Sequence, residues 1–278
     1  MPSFLNAFSK LLKEKESVLC VGLDPALPSQ RSKDIIPQRY IQVDDENEDR
    51  LNFCLDMVEQ VNDSCIAAKP NQQYVFGWTK KQHQKLTHAA RKARMLSILD
   101  YKLNDIRDTV ESSIFHLAEC GYDAITFNPF MGNLEETVKF AHESAQKARG
   151  YELGIIVLTL TSNPEALKYM KQANLDGQPL YQSIAQEILK YNADGAVVGA
   201  TGHVTQTDIA TVRKTIGDER VILFPGIGAQ KGDPEKIAKT GKQNIIINVG
   251  RDIIYSDNPS KKAENYRSLF NRFREQGY

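Results

Sequence analysis

The chain has 278 residues, room for one large α/β domain; 41% are hydrophobic and 25% charged, ordinary values for a folded protein. Lys+Arg and Asp+Glu are equal at 35 each, so no bulk field draws the chain to nucleic acid or to an anionic membrane. Any anion it binds must be held by locally placed charge, which points to a small ligand in a pocket. Cys20, Cys54, Cys65 and Cys120 form no CxxC pair and none stands beside a His at ligand spacing, which argues against zinc.

In chain order, Phe4, Leu5, Phe8, Leu11 and Leu12 follow helical spacing, and a helix covering the barrel floor is expected rather than one lying on a membrane. The first residues lack the long apolar core of a signal peptide, and no stretch is apolar enough to span a bilayer, so a cytoplasmic location is expected. Strand candidates follow at 17–23, 65–68, 95–100, 124–128, 154–160, 195–200, 221–224 and 244–249. Between them lie helical patterns such as 52–61, 109–120, 135–148, 181–189 and 208–215, with a last helix at 263–275. The strand runs are nearly continuous in Val, Ile, Leu and Ala, as parallel strands covered on both faces should be. Eight uninterrupted β-then-α units predict a (β/α)8 TIM barrel, a single domain over residues 1–278. The Pro- and charge-rich stretch 25–50 reads as an insertion over the barrel mouth, between the first strand and its helix.

In such a barrel the active site lies at the carboxyl ends of the strands. Polar residues gather there: Gly22-Leu23-Asp24-Pro25, Lys69-Pro70, Asn128-Pro129, Thr161-Ser162-Asn163-Pro164, the Gly226 to Gln230 run and Gly250-Arg251. The run Asp100-Tyr101-Lys102-Leu103-Asn104-Asp105 is the most informative. On an extended strand Asp100 and Lys102 point the same way, into the mouth, and Lys69 on the adjacent strand can reach them. Asp105 opens the next helix, where it serves either as a cap or as a further site carboxylate. Charges interrupting apolar strands are costly unless networked, and such networks mark functional sites.

Asp100-x-Lys102-x-x-Asp105, with Lys69 on the preceding strand, resembles the signature and Lys–Asp–Lys–Asp tetrad of the orotidine 5′-monophosphate decarboxylase family. The resemblance covers nearly the whole chain, through Val21-Gly22-Leu23-Asp24-Pro25, Lys69-Pro70-Asn71, Thr126-Phe127-Asn128-Pro129-Phe130-Met131-Gly132, Thr161-Ser162-Asn163-Pro164, Val198-Gly199-Ala200-Thr201 and Val249-Gly250-Arg251. The Asn-Pro and Gly-Ala-Thr segments look like its longer-chain subgroup. Two departures are local: Gln72 to Phe76 is more polar than the family's apolar run, and Lys231 stands where the family often has Gly.

The resemblance implies conversion of orotidine 5′-monophosphate (OMP) to UMP and CO2 with no metal and no cofactor. It implies that Asp100 sits beside the substrate carboxylate and that Lys102 stabilises and protonates C6. Lys69 would hold the network and contact the ribose, and Asp24 would accept from ribose hydroxyls. Ser162, with Asn163 nearby, would bind the pyrimidine, although Ser-Asn-Pro also makes ordinary turns. Asn128 joins the substrate-binding set. Arg251, the Gly250 amide and Gln230 would hold the phosphate, and glycines at 226, 228 and 232 suit a closing loop. Asp105 and Thr109 would reach the neighbouring subunit's site, so a homodimer with shared sites is implied.

Three rivals remain: a metal-dependent sugar-phosphate decarboxylase or aldolase, a Schiff-base aldolase using Lys69 or Lys102, and an inactive nucleotide-binding protein. His83, His88 and His142 are expected to be solvated, and Trp78, Tyr74 and Phe76 to pack in the core rather than line the mouth.

Overall fold

In a computed structural model, which describes residues 3–42, 44–227, 237 and 244–276, eight parallel strands close into a barrel. They are β1 (Leu19–Leu23), β2 (Ala67–Pro70), β3 (Leu96–Leu103), β4 (Ala124–Phe127), β5 (Gly154–Leu160), β8 (Gly195–Val198), β9 (Val221–Phe224) and β10 (Ile245–Val249). A small antiparallel hairpin, β6 (Asn174–Leu175) and β7 (Gln178–Pro179), stands outside the barrel sheet. Neighbours in the barrel follow chain order, and β10 closes on β1 with Leu19 opposite Ile247.

Buried on both faces, the strands feed two apolar layers. Cys20, Ile98, Ile156 and Ile246 belong to an inner layer that also takes Phe4 and Phe8 of α1 (Phe4–Lys15). Gly154 makes room for this helix, since a Cβ there would lie 2.7 Å from the Phe4 ring. At the end of α1 the Lys15 ammonium donates to the carbonyls of Asn62, Cys65 and Ala93, at or just beyond the C-termini of two barrel helices. Burial there lowers its pKa to about 8. The N-terminal helix thus covers the amino ends of the strands, leaving their carboxyl ends open.

The outer layer lies between strands and helices: α2 (Glu46–Val61), α3 (Lys80–Lys92), α4 (Arg107–Cys120), α5 (Leu134–Arg149), α6 (Leu180–Lys190), α7 (Gln206–Ile216), α8 (Arg251–Ile254) and α9 (Pro259–Gln276). Their starts follow capping chemistry. Asp45 accepts from Asn47 and Glu48 at the head of α2, and Thr79 with Gln82 forms a capping box on α3.

Several expectations need correction. Helix α2 begins at Glu46, six residues ahead of the expected start at 52, so the irregular stretch after β1 ends by 45 rather than 50. That stretch is anchored by buried Leu27 and Ile36, and Arg31 lies 5.6 Å from the rings of both Tyr74 and Tyr255. His83 is buried and pairs with the Tyr122 hydroxyl at 2.7 Å, because α3 places it on the same inward face as Leu86 and Ala90. His142 is only partly exposed and pairs with Asp194 at 3.1 Å. Trp78 is in the core, but Phe76 is 81% exposed.

Candidate active site

At the carboxyl ends of β2, β3 and β4 three chains of atoms converge on one carboxylate. Lys69 Nζ donates to Asp100 Oδ2 at 2.6 Å, and Lys102 Nζ donates to Oδ1 at 2.7 Å. The Thr126 hydroxyl donates to Oδ1 at 3.0 Å. Lys69 lies within β2, which runs to Pro70 rather than stopping at 68. Simple alternation does not explain why Asp100 and Lys102 meet. Strand β3 bulges between Leu99, opposite Ile125, and Leu103, opposite Phe127, and Lys102 takes a left-handed φ of 56°. Such a conformation costs a non-glycine residue energy and persists only where its surroundings enforce it. Here the Lys102 amide is held by Thr126 Oγ1 at 2.9 Å.

The charges are strongly coupled. Burial alone would raise the Asp100 carboxyl, but Lys69 and Lys102 outweigh it and hold it well below the usual carboxylate range. Burial likewise pulls the Lys69 ammonium down, and Asp100 with Asp24 reverses the sign. Lys69 and Asp100 are therefore both charged near neutral pH. The two lysines differ in setting: the Lys69 side chain is 5% exposed and that of Lys102 44%.

A second group of residues forms where β10 meets β1. Gly22 and Gly250 permit a close approach: a Cβ on Gly22 would lie 3.1 Å from the Gly250 Cα, and one on Gly250 3.8 Å from Asp24 Oδ2. The half-buried Asp24 has its carbonyl bonded by the Tyr255 hydroxyl at 2.7 Å. Arg251 opens α8 and stands 3.7 Å from Asp34 of the stretch after β1. Gln230, and the glycines at 228 and 232, lie outside the described residues.

On the opposite rim, Ser162 follows β5, half-buried against Gly199, where a Cβ would come within 2.7 Å of the Ser162 Cβ. Asn163 is exposed and bound in a local turn with Thr161 and Glu165. Asn128 caps the short 3-10 turn that follows β4, accepting from Phe130.

Asp105 does not join the Lys69–Asp100–Lys102 cluster within the chain. Nor does it cap α4, whose N-cap position is Ile106; its carboxylate accepts from the Ile106 amide at 2.8 Å. Thr109 is exposed one turn further on. Among the described residues, no three His, Cys, Asp or Glu side chains are grouped to hold a metal ion. A surface depression of about 1010 Å³ beside α3 and α4 shares no residue with this site. Thr126 was missed in the charge-based reading. Its signal was a lone hydroxyl in the otherwise apolar strand Ala-Ile-Thr-Phe.

Comparison with known proteins supplies the family. An orotidine 5′-phosphate decarboxylase of Cupriavidus necator is 30% identical over 284 residues, covering 98% of this chain and 97% of its own. The solved UMP synthase of Leishmania donovani is 25% identical with a TM-score of 0.77; the match takes in 99% of this chain but only 57% of that longer one. The OMP decarboxylase of the same organism, 22% identical and fully covered at TM-score 0.78, shares the fold. Residues 17–266 match the orotidine 5′-phosphate decarboxylase / HUMPS family, and to that family the chain belongs.

Proposed function

We propose that this chain decarboxylates OMP to UMP and CO2, using charged side chains and neither metal nor cofactor. The single observation that carries the reading is the Asp100 carboxylate clamped between two ammonium groups at the barrel mouth, in a chain of this family. In the reaction the bond from C6 to the carboxylate breaks, CO2 leaves, and the electron pair stays on C6 until a proton arrives there.

The two lysines divide the work by exposure. Lys102 keeps its ammonium at the open rim, so it is the one to face C6, stabilise the growing negative charge and deliver the proton. Lys69 is sealed behind it and fixes Asp100 while reaching the ribose. Asp100 lies beside the substrate carboxylate. Because these charges are set before substrate arrives, little reorganisation is needed as charge develops.

Around them, Asp24 accepts from ribose hydroxyls, and Ser162 bonds the pyrimidine, with Asn163 and Asn128 at the same rim. Arg251 and the Gly250 amide hold the phosphate, with Gln230 from the preceding loop. Binding energy from the phosphate then serves to seat the reacting ring among the charges.

Asp105 and Thr109 serve the site of a second copy, in a homodimer with shared sites. In support, Asp105 stands free of its own cluster, beside a surface bearing Ile106 at 64% and Phe130 at 79% exposure. Asn133 bonds the Asp105 carbonyl at 3.0 Å and ties the two loops together. Exposed apolar groups so placed fit burial against a partner.

The test is direct. Purified chain in the presence of EDTA should consume OMP, seen as loss of its absorbance, with UMP formed. Lys102→Ala should lower turnover by at least about 10³-fold while still binding UMP. Wild-type chain that leaves OMP intact overturns the reading.

A further inference from the structure

Strand β4 contributes one polar side chain to the cluster, and it is uncharged. Between the Leu99–Ile125 and Leu103–Phe127 pairs, three β3 residues (Asp100, Tyr101 and Lys102) stand opposite Thr126 alone. Regular alternation would aim the Lys102 amide to the β2 side, the side on which the Asp100 carbonyl accepts from the Gln72 amide at 3.2 Å. With Lys102 turned to φ 56°, that amide finds the Thr126 hydroxyl instead, at 2.9 Å. An amide can only donate, so the hydroxyl oxygen accepts, and its own hydrogen is left for Asp100 Oδ1 at 3.0 Å. Thr126 is 1% exposed, which leaves no access for water to take over either bond.

We infer that Thr126 is a positioning residue for the proposed decarboxylation: one hydroxyl pins both the strained Lys102 backbone and the Asp100 carboxylate, so that the ammonium meets C6 in register. The inference rests on the reading given above. A purely structural part does not account for the geometry, because the Thr126 backbone is already laddered to Ile156 of β5 and needs no hydroxyl to stay in the sheet. The hydroxyl serves only the bulge and the carboxylate.

Thr126→Val keeps the side-chain shape and removes both bonds; Thr126→Ser keeps the hydroxyl. With OMP as substrate, Thr126→Val should lose about 10²-fold in kcat, the scale of a small misplacement of a reacting group, with KM changed by less than about threefold. Thr126→Ser should retain kcat within about threefold. The acid limb of kcat should move to higher pH in the valine variant, since Asp100 has lost a donor that favours its charged form. If Thr126→Val does not fold, Thr126→Ala removes the same hydroxyl without the branched side chain and should show the same loss. An active wild type with a fully active valine variant overturns the positioning role alone. So does a serine variant as slow as the valine one. A wild type inactive on OMP overturns both the reaction and the inference.

Discussion

Both ammonium groups on Asp100 lie within 2.7 Å of it, yet the Lys69 side chain is 5% exposed and that of Lys102 44%. Breaking a buried pair strands a charge away from water, whereas an exposed partner is replaced by solvent. Lys69→Met should therefore cost about 3 kcal/mol of stability. Lys102→Met should cost less than about 1 kcal/mol while abolishing turnover. Urea unfolding of the two variants, set beside their activity, checks the contrast; equal losses of stability would contradict it. Acid should act through the same pair. Asp100 is held down in the fold, so as pH falls below about 4 the unfolded chain takes up a proton that the native carboxylate refuses, and native stability drops. The charged residues of this site were legible from the sequence because charge inside an apolar strand is conspicuous. Thr126 was not, because a hydroxyl in a strand is unremarkable until a bulge turns an amide toward it.

The elements were legible in their apolar centres and less so at their ends. Continuous Val, Ile and Leu runs place the barrel strands, but the first turns of α2 are charged and announce themselves only through the Asp45 cap. Helix α3 shows the same limit on its inner face, where Gln82, His83 and Thr87 fill positions that periodicity assigns to apolar residues. His83 has consequences there. Burial lowers its pKa to about 4, so the native imidazole stays neutral while the unfolded one protonates below about 6.5. The unfolded state then binds more protons, and stability is lost as pH falls from about 6.5 to about 4, by an amount on the order of 3 kcal/mol. His83→Gln removes the titration and can still meet the Tyr122 hydroxyl. Urea midpoints at about pH 7 and about pH 4.5 should differ less in that variant than in the wild type. An unchanged difference would place the acid sensitivity elsewhere.

At the scale of the molecule, the barrel gathers every strand's carboxyl end at one open face while α1 covers the other. Lys69, Asp100 and Lys102 assemble there within one chain, while the half-buried Asp105, five residues beyond Asp100, accepts from the Ile106 amide instead. Only a second copy, placed against the Ile106 and Phe130 surface, brings an Asp105 to a foreign cluster in the proposed dimer. Complementation separates a shared site from a private one. Asp100→Ala and Asp105→Ala chains should each be inactive alone. In their mixed dimer one site draws both altered residues and stays silent; the other combines an intact Asp100 with an intact Asp105 from the partner. After refolding an equal mixture, half of the dimers should be mixed, with one working site in each, giving about a quarter of wild-type activity. A mixture as inactive as its parents would mean that each Asp105 works for its own chain, since no exchange of subunits could then rebuild a complete site.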